Sequence, residues 1–122
     1  IYAPCALGAT VNSDTLSRLR CSIIAGAANN QLADEDIHGV MVQEKGILYA
    51  PDFLINAGGL INVSVELDGY NRQRALLKTE KIYDAALNVF SIAKAQNIPT
   101  IQAAKHLAEQ RIDGVGRIRL SY

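Results

Sequence analysis

Three short apolar runs constrain the fold of this chain more than any other feature of its sequence. They cover residues 1–3, 22–25 and 47–50, and each ends in Ala directly before a Pro or a Gly, which interrupts a strand. The apolar residues in each run are consecutive rather than alternating, as is typical of strands covered on both faces. The runs therefore predict a buried parallel sheet, whose strands need crossover connections between them.

The two segments between these runs carry the start and stop signals of helices. Asn12 or Ser13 can cap a short helix that extends to Arg20. Asp34 can cap a second helix, which Gly46 can end. Residues recur at helical spacing in this second helix, at Ile37, Val40, Met41 and Glu44. The resulting order, β-α-β-α-β, is typical of a doubly wound α/β sheet.

The remainder of the chain, after the third run, is predicted to be helical. Helices are expected over residues 57–67, ending at Asp68, and over residues 73–96, while Thr100 can cap a third helix. The apolar faces of the last two helices comprise Ile82, Ala86, Val89, Phe90, Ala93, Ile101, Ala104, Leu107 and Ala108. Residues 113–122 carry no clear pattern, and no structure is predicted for them.

Composition and charge exclude several classes of function. The chain has 122 residues, of which 49% are hydrophobic, enough to form the core of one domain. Its 12 basic and 12 acidic residues cancel, so charge gives no reason to expect binding to nucleic acid or to an anionic membrane. No apolar run approaches the roughly 20 residues of a membrane helix. No charged segment followed by an apolar one marks a signal peptide.

The cysteines and histidines predict neither a metal site nor a nucleophile. Cys5 and Cys21 lie far apart without a CxxC motif, and a reduced, cytoplasmic protein is the simplest interpretation. His38 and His106 lack the local spacing of zinc ligands, and we expect both to be solvated on helices. Cys5 alone is more often a small buried side chain than a nucleophile.

Three segments that directly follow the predicted strands are rich in small residues and amides. They are residues 4–8, 26–31 and 51–59. In an open parallel sheet, ligands bind in the crevice at the carboxyl ends of the strands. Small residues let a ligand approach the backbone, and amides both donate and accept hydrogen bonds. The crevice is therefore predicted to suit a neutral, planar, hydrogen-bonding group better than a bare phosphate.

Each of these segments also has a purely structural interpretation. The Asn pair at 29–30 can form a turn, and the Gly pair at 58–59 can serve only close helix packing. No GxGxxG motif is present, and Gly-Val-Gly at 114–116 lacks the third glycine and the helix of a nucleotide loop. No Ser or Cys has His and an acid in a local motif, and the lysines lie at polar helix positions. The residues themselves therefore offer no convincing general base.

Four motifs in order resemble the glutamate/leucine/phenylalanine/valine dehydrogenase family, and most closely its leucine-type members. They read APCALGA, GAANNQL, YAPDFLINAGGLINV and ELDGYNR, and the resemblance covers residues 1–112. It implies an NAD-dependent oxidative deamination of an L-amino acid to the 2-oxo acid and ammonia by a homo-oligomeric enzyme. It also implies that residues 1–56 are the second half of a Rossmann-like NAD-binding domain. Residues 57–122 would be C-terminal helices that return toward a substrate domain.

The resemblance also assigns site residues. Asn30 matches the asparagine near the nicotinamide and the substrate, and Asn56 lines the same cleft. Leu60 and Val63 match two positions that face the substrate side chain, which favours leucine, isoleucine or valine and leaves phenylalanine open. The loop predicted to lie along NAD consists of Pro4, Cys5, Ala6 and Leu7. The catalytic lysines, their assisting acid and the Gly-rich pyrophosphate loop have no counterpart in these 122 residues. We therefore expect a C-terminal fragment that is inactive alone.

Two other functions stay open at this point. A half sheet with an exposed edge and apolar helices could act as a non-catalytic association domain. A stand-alone nucleotide-binding module is the third candidate, and the missing Gly-rich loop argues against it.

Overall fold

The fold is a small parallel sheet with six helices around and beyond it. A computed structural model describes residues 1–67 and 69–119 of the chain. In chain order the elements are α1 (Ser13–Arg18), β1 (Ile23–Ile24), α2 (Glu35–Glu44), β2 (Leu48–Tyr49), α3 (Asp52–Ile55), α4 (Gly58–Glu66), α5 (Arg72–Gln96) and α6 (Thr100–Arg119).

The sheet is parallel, as predicted, but its strands are shorter than the apolar runs. Ile23 of β1 pairs with Leu48 of β2. The first run contributes only an isolated parallel bridge between Tyr2 and Ile24. The Tyr2 amide donates to the Ile23 carbonyl at 2.9 Å, and its carbonyl accepts from Ala25 at 3.0 Å. The proline after the first run ends its pairing with β1, because position 4 follows Tyr2 in the ladder and Pro has no N–H to donate.

The two edges of this sheet differ. Tyr49 directs its carbonyl oxygen away from β1, and the Thr100 hydroxyl donates to that oxygen at 2.7 Å. At the opposite edge, Tyr2 is bonded on one side only and its neighbour Ile1 is 84% exposed. One edge is therefore closed by α6, and the other is open within the part of the chain that the structure describes. The prediction that Thr100 caps α6 was wrong. Thr100 is the first residue of the helix, and its hydroxyl donates to the Tyr49 carbonyl of the sheet.

Helix capping follows the sequence signals closely. The Asn12 side chain accepts from the Thr15 amide in a capping box, and the Asp34 side chain accepts from Ile37. Gly46 has φ +66°, the left-handed conformation that ends α2 at low cost for glycine. The predicted caps at Asn12 and Asp34 and the stop at Gly46 are thus confirmed.

The buried face of α2 is not the one its apolar residues indicate. His38, Gly39 and Val42 are buried, whereas Ile37 and Val40 are exposed. Gly39 allows the close approach of α6, because a Cβ there would lie 2.8 Å from the Ile101 side chain. Val42 belongs to the main hydrophobic cluster and Met41 of the predicted stripe packs against it, so α2 is buried through these residues together with the close contact at Gly39.

His38 is buried, so the expectation that it is solvated was wrong. Its Nδ1 accepts from the Asp34 amide at 2.9 Å, and its Nε2 lies 3.2 Å from the Ser13 hydroxyl. Because Nδ1 accepts, the proton of the neutral ring is on Nε2, which donates to Ser13. His38 thus joins the first turns of α1 and α2. His106 is exposed on α6, as expected.

Beyond the sheet, the predicted helices are found with small changes. The helix expected over 57–67 is α4, preceded by the unpredicted α3, and the helix expected over 73–96 is α5. Residues 114–116 lie inside α6, in agreement with their rejection as a nucleotide loop. Asp68, predicted to end α4, lies outside the described residues, as do residues 120–122.

Two hydrophobic clusters stabilise the fold. The first consists of Val11, Leu16, Ile24, Leu32, Val42, Ile47, Tyr49 and Ile101. The second, between α5 and α6, consists of Val89, Ala93, Ala103 and Ala104. Val89, Ala93 and Ala104 lie on the predicted faces, whereas Ala103 was not predicted and the predicted Ala108 is exposed. Because α6 contributes to both clusters, it joins the sheet to the long helix. No helix within the described residues is long and apolar enough to cross a membrane.

We expect replacement of His38 by Ala to lower the free energy of unfolding by about 1–2 kcal/mol, because the buried ring and both of its hydrogen bonds are lost. The matched control is His106→Ala, on the exposed face of α6, which should change stability by less than about 0.5 kcal/mol. Urea denaturation followed by circular dichroism measures both. Equal losses in the two variants would contradict the structural role of His38.

Candidate functional site

The three segments predicted to form a crevice do meet at the carboxyl ends of the strands. The Pro4 carbonyl accepts from the Ala28 amide at 3.0 Å, and the Ala9 amide donates to the Asn30 carbonyl at 2.7 Å. The segment after the first run is thereby bonded to the segment after β1 at its first residue and just beyond its last. These backbone bonds fix the relative position of the two loops without using any side chain.

Gly26 is what allows this close approach. A Cβ at position 26 would lie 2.0 Å from the carbonyl oxygen of Pro4, a distance that no side chain can tolerate. Gly8 is similarly restricted, because a Cβ there would lie 2.9 Å from the Asn29 carbonyl oxygen. Glycine is therefore required here by contact between backbones.

The third segment is attached through Gln31 and Asp52. The Gln31 side-chain amide donates to the carbonyl oxygens of Gly26 at 2.6 Å and Ala28 at 2.9 Å. Its backbone amide donates to Asp52 Oδ2 at 3.0 Å, and Asp52 Oδ1 accepts from the Phe53 amide at 2.8 Å. We call this arrangement the Gln31–Asp52 clamp. It joins the loop after β1 to the start of α3.

Both residues of the clamp are almost inaccessible to water. Gln31 is 0% exposed and Asp52 is 5% exposed. A buried carboxylate is tolerated only when hydrogen bonds replace its hydration, and here backbone amides bond both of its oxygens. The pKa of Tyr49 is raised above its usual range. The larger cause is the burial of Tyr49 itself, and the second is the negative charge of Asp52. The Gln31 Oε1 atom is buried without a hydrogen-bond partner among the described residues.

Sequence reasoning missed this clamp, although a signal was present. Asp52 is the only acid in the three segments, and Gln31 ends the amide-rich motif. When an acid closely follows a buried strand and has no basic residue beside it, backbone amides are expected to donate hydrogen bonds to its carboxylate. Which amides those are depends on contacts between residues 21 positions apart.

One pair of amide side chains in the crevice is joined by a hydrogen bond. Asn56 Nδ2 donates to Asn29 Oδ1 at 2.6 Å and to the Ala27 carbonyl at 3.3 Å. The residue that contacts Asn56 is therefore Asn29, which sequence reasoning did not select. Asn30 has φ +53°, a left-handed turn conformation that asparagine adopts more readily than most residues. Asn30 is therefore a turn residue, as the structural interpretation of the Asn pair predicts. A turn residue can still contact a ligand.

The loop after the first run is mostly open to solvent. Pro4 is buried, whereas Cys5, Ala6 and Leu7 are exposed. The expectation of a buried Cys5 was therefore wrong, since it lies past the end of the sheet where no element covers it. Cys5 and Cys21 are both free thiols.

The Gly pair opens α4, where two apolar side chains are largely uncovered. Leu60 is 75% exposed and Val63 is 58% exposed. Their spacing of three places them on one face of the helix. A Cβ at Gly58 would lie 3.4 Å from the Thr79 side chain, and one at Gly59 would have nothing within 4 Å. Close helix packing therefore does not account for Gly59.

No three side chains of His, Cys, Asp or Glu gather into a possible metal site in residues 1–67 and 69–119.

Comparison with known proteins identifies the family. The sequence model of the Glutamate/Leucine/Phenylalanine/Valine dehydrogenase family matches residues 1–115. The chain belongs to this family. The resemblance inferred from the four motifs is thus confirmed.

Curated relatives include enzymes named for three amino acids. Leucine dehydrogenase from Thermoactinomyces intermedius is 56% identical over 122 residues, which are 100% of this chain and 33% of that protein. L-tryptophan dehydrogenase from Nostoc punctiforme is 54% identical over 117 residues, 96% of this chain and 33% of that protein. Phenylalanine dehydrogenase from Thermoactinomyces intermedius is 50% identical over 119 residues, 98% of this chain and 32% of that protein. The chain thus spans about a third of the length of these relatives.

Solved structures agree with the fold. The crystal structure of L-tryptophan dehydrogenase from Nostoc punctiforme matches with a TM-score of 0.89 at 54% identity, covering 94% of this chain and 34% of that one. Glutamate dehydrogenase from Peptoniphilus asaccharolyticus matches with a TM-score of 0.76 at 23% identity, covering 98% and 32%. The second match supports the fold alone. The predicted α/β class is confirmed at this level, with more helix than strand.

We expect Asp52→Asn to lower the free energy of unfolding by about 2–3 kcal/mol, because an amide has one acceptor oxygen where the clamp requires two. The control is Asp14→Asn, which removes an exposed ion pair with Arg18 at 2.6 Å and should cost less than about 1 kcal/mol. Urea titration of both variants gives the comparison. Similar values for the two would mean that the clamp does not stabilise the crevice.

Proposed function

We propose that this chain is the C-terminal part of an NAD-dependent L-amino acid dehydrogenase. In this proposal the enzyme converts a branched-chain amino acid, with leucine the first candidate, to the 2-oxo acid and ammonia. Residues 1–56 would be the second half of a Rossmann-like NAD-binding domain, and residues 57–122 a helical segment that returns toward the substrate domain. The observation that carries the proposal is the neutral crevice at the strand ends, in a chain that belongs to this family. We further infer a cytoplasmic homo-oligomer.

The residues of the crevice fit a dinucleotide. Pro4 is buried and anchors its loop, while Cys5, Ala6 and Leu7 present small or apolar side chains outward. The one acid of the crevice segments, Asp52, is turned inward and bonded to backbone amides, so that no carboxylate of these segments faces a phosphate. When bound, NAD supplies the acceptor for the substrate hydride.

Asn30 and Asn56 are proposed to bind the nicotinamide end of the cofactor. Asn56 uses its Nδ2 to reach Asn29 and Ala27, which leaves its carbonyl oxygen to accept from a ligand amide. The bond to Asn29 also limits the rotamers of Asn56 before a ligand arrives. Preorganisation of this kind reduces the entropy lost on binding.

Leu60 and Val63 are proposed to form the wall of the substrate pocket. Their large exposed areas in this chain leave apolar surface for a substrate side chain to cover. Burying a leucine-sized side chain contributes roughly 1.5–3 kcal/mol, whereas a carboxylate at the same place would lose its hydration without a partner. This favours an aliphatic over an acidic amino acid. The relatives named for tryptophan and phenylalanine also make aromatic substrates worth comparing.

A non-catalytic association domain is the second candidate, and one observation favours it. Large apolar side chains are exposed along α5 and beside α4, namely Leu67, Leu76, Leu77 and Tyr83. Exposed apolar surface of this extent is typical of a face that another protein covers. In an amino acid dehydrogenase the remaining part of the enzyme would supply that cover.

The decisive experiment compares the full-length natural protein with the 122-residue chain in an NAD reduction assay. We expect activity of the full-length protein with leucine, isoleucine or valine above that with glutamate, and no activity of the chain alone. The reason is that the family resemblance assigns the catalytic lysines and the pyrophosphate loop to residues outside this sequence. A full-length protein that assembles but reduces no NAD with any amino acid would favour the association domain.

In the same assay, Leu60→Ala in the full-length protein should raise the kcat/KM ratio of tryptophan to leucine about tenfold or more, because the pocket gains space. Leu87→Ala is the control, since it removes an exposed leucine of α5 that has no assigned role. An unchanged ratio in Leu60→Ala would count against Leu60 as a pocket residue.

Gly59→Ala separates the two interpretations of the Gly pair. Nothing lies within 4 Å of a Cβ at this position, so the variant should gain up to about 1 kcal/mol of stability from helix propensity. If the cofactor approaches the backbone here, the same variant of the full-length protein should lose NAD affinity. Thermal unfolding and NAD titration by fluorescence are measured on one preparation. Higher stability with undiminished NAD affinity would refute the role in cofactor approach.

A further inference from the structure

A cavity of about 460 Å³ lies between α4, α5 and α6. None of the residues proposed to contact cofactor or substrate lines it. Ile61 and Ser64, which do line it, are neighbours of Leu60 and Val63 on α4, and Ser64 lies one helical turn from Leu60. The cavity is therefore lined by other residues than the proposed active site, and its interpretation does not depend on the proposed function.

The inner wall of the cavity is apolar and incompletely covered. It is formed by Leu54, Ala57, Ile61, Ile82 and Ala85. All five are half-buried, so each keeps apolar surface that a ligand could remove from water. Its volume is within the range of small-molecule pockets, about 300–1,000 Å³.

Three cations surround this apolar wall. Lys78 and Lys81 lie one turn apart on α5, and Arg111 reaches the cavity from α6. No carboxylate of residues 1–67 or 69–119 forms an ion pair with any of the three. No acidic residue lines the cavity, where the Ser64 hydroxyl is the other polar group. Like charges held together without a counter-charge raise the local potential and attract an anion.

We propose that this cavity binds a small amphipathic anion. Its apolar chain lies against the wall formed by Ile61, Ile82 and Ala85, and its carboxylate lies among the three cations. The concave shape and the limited volume favour a small molecule over an extended peptide. Arg111 can form two parallel hydrogen bonds with a carboxylate, and the two lysines add positive charge.

The test uses octanoate as the probe, with the full-length natural protein and isothermal titration calorimetry. Octanol carries the same chain without the charge, and acetate carries the charge without the chain. We expect octanoate to bind at least tenfold more tightly than either, and its affinity to fall as salt is raised. Equal affinity for octanol would overturn the role of the cations. Equal affinity for acetate would overturn the role of the apolar wall, and no binding of octanoate would overturn the site.

Variants locate the binding. Arg111→Met and Lys78→Met should each weaken octanoate binding about tenfold, whereas Lys45→Met, an exposed cation at the end of α2, should leave it unchanged. Ala85→Phe fills the cavity and should abolish binding, with its fold checked by circular dichroism. If Ala85→Phe unfolds, the octanoate affinity of Lys81→Met, a variant at an exposed position, tests the site independently. Octanoate affinity that is unaffected in Arg111→Met, Lys78→Met and Lys81→Met would refute the assignment.

Discussion

The hydrogen bonds of the buried Asp52 carboxylate hold the crevice together. Its two oxygens accept from the amides of Gln31 and Phe53, and the Gln31 side chain in turn bonds two carbonyls of the preceding loop. A charge in this position is stable only while every one of these donors is in place, because the interior offers no water to replace them. The short strands contribute few ladder bonds. Backbone bonds join the first two loops, and the attachment of the third loop depends on this side-chain network. Asn30 and Asn56 are the two amides proposed to contact a ligand. Asn30 directly precedes Gln31, and Asn56 follows Asp52 by four residues.

The features that the sequence predicts well are local ones. The caps at Asn12 and Asp34 bond to amides three residues ahead, so the residue type and the position suffice to identify them. The parallel order of the strands follows from consecutive apolar residues and helical connections, which need no knowledge of side-chain contacts. The four motifs likewise identify the family because their order and separation can be read directly.

The features that the sequence does not predict depend on distant contacts. His38 looks like a polar helix residue until Ser13, 25 positions away, is seen to bond it. The buried face of α2 includes Gly39 against Ile101, and a glycine carries no hydrophobic signal. Asn29 and Asn56 meet across 27 residues. In each case the local pattern was compatible with two arrangements, and the packing of a second element selected one.

The hydrogen bond from Thr100 to the carbonyl of Tyr49 restricts the edge at which another strand can pair with the sheet. Because α6 occupies that edge, no strand of this or another molecule can add beside β2 without displacing a helix. No element of residues 1–67 or 69–119 covers the edge at Tyr2 in this way, and the backbone groups on its outer side can pair with an extended segment. Protection against intermolecular strand pairing, the first step of many aggregation reactions, is therefore one-sided. When this chain is handled in isolation, its first three residues form the edge at which such pairing can begin.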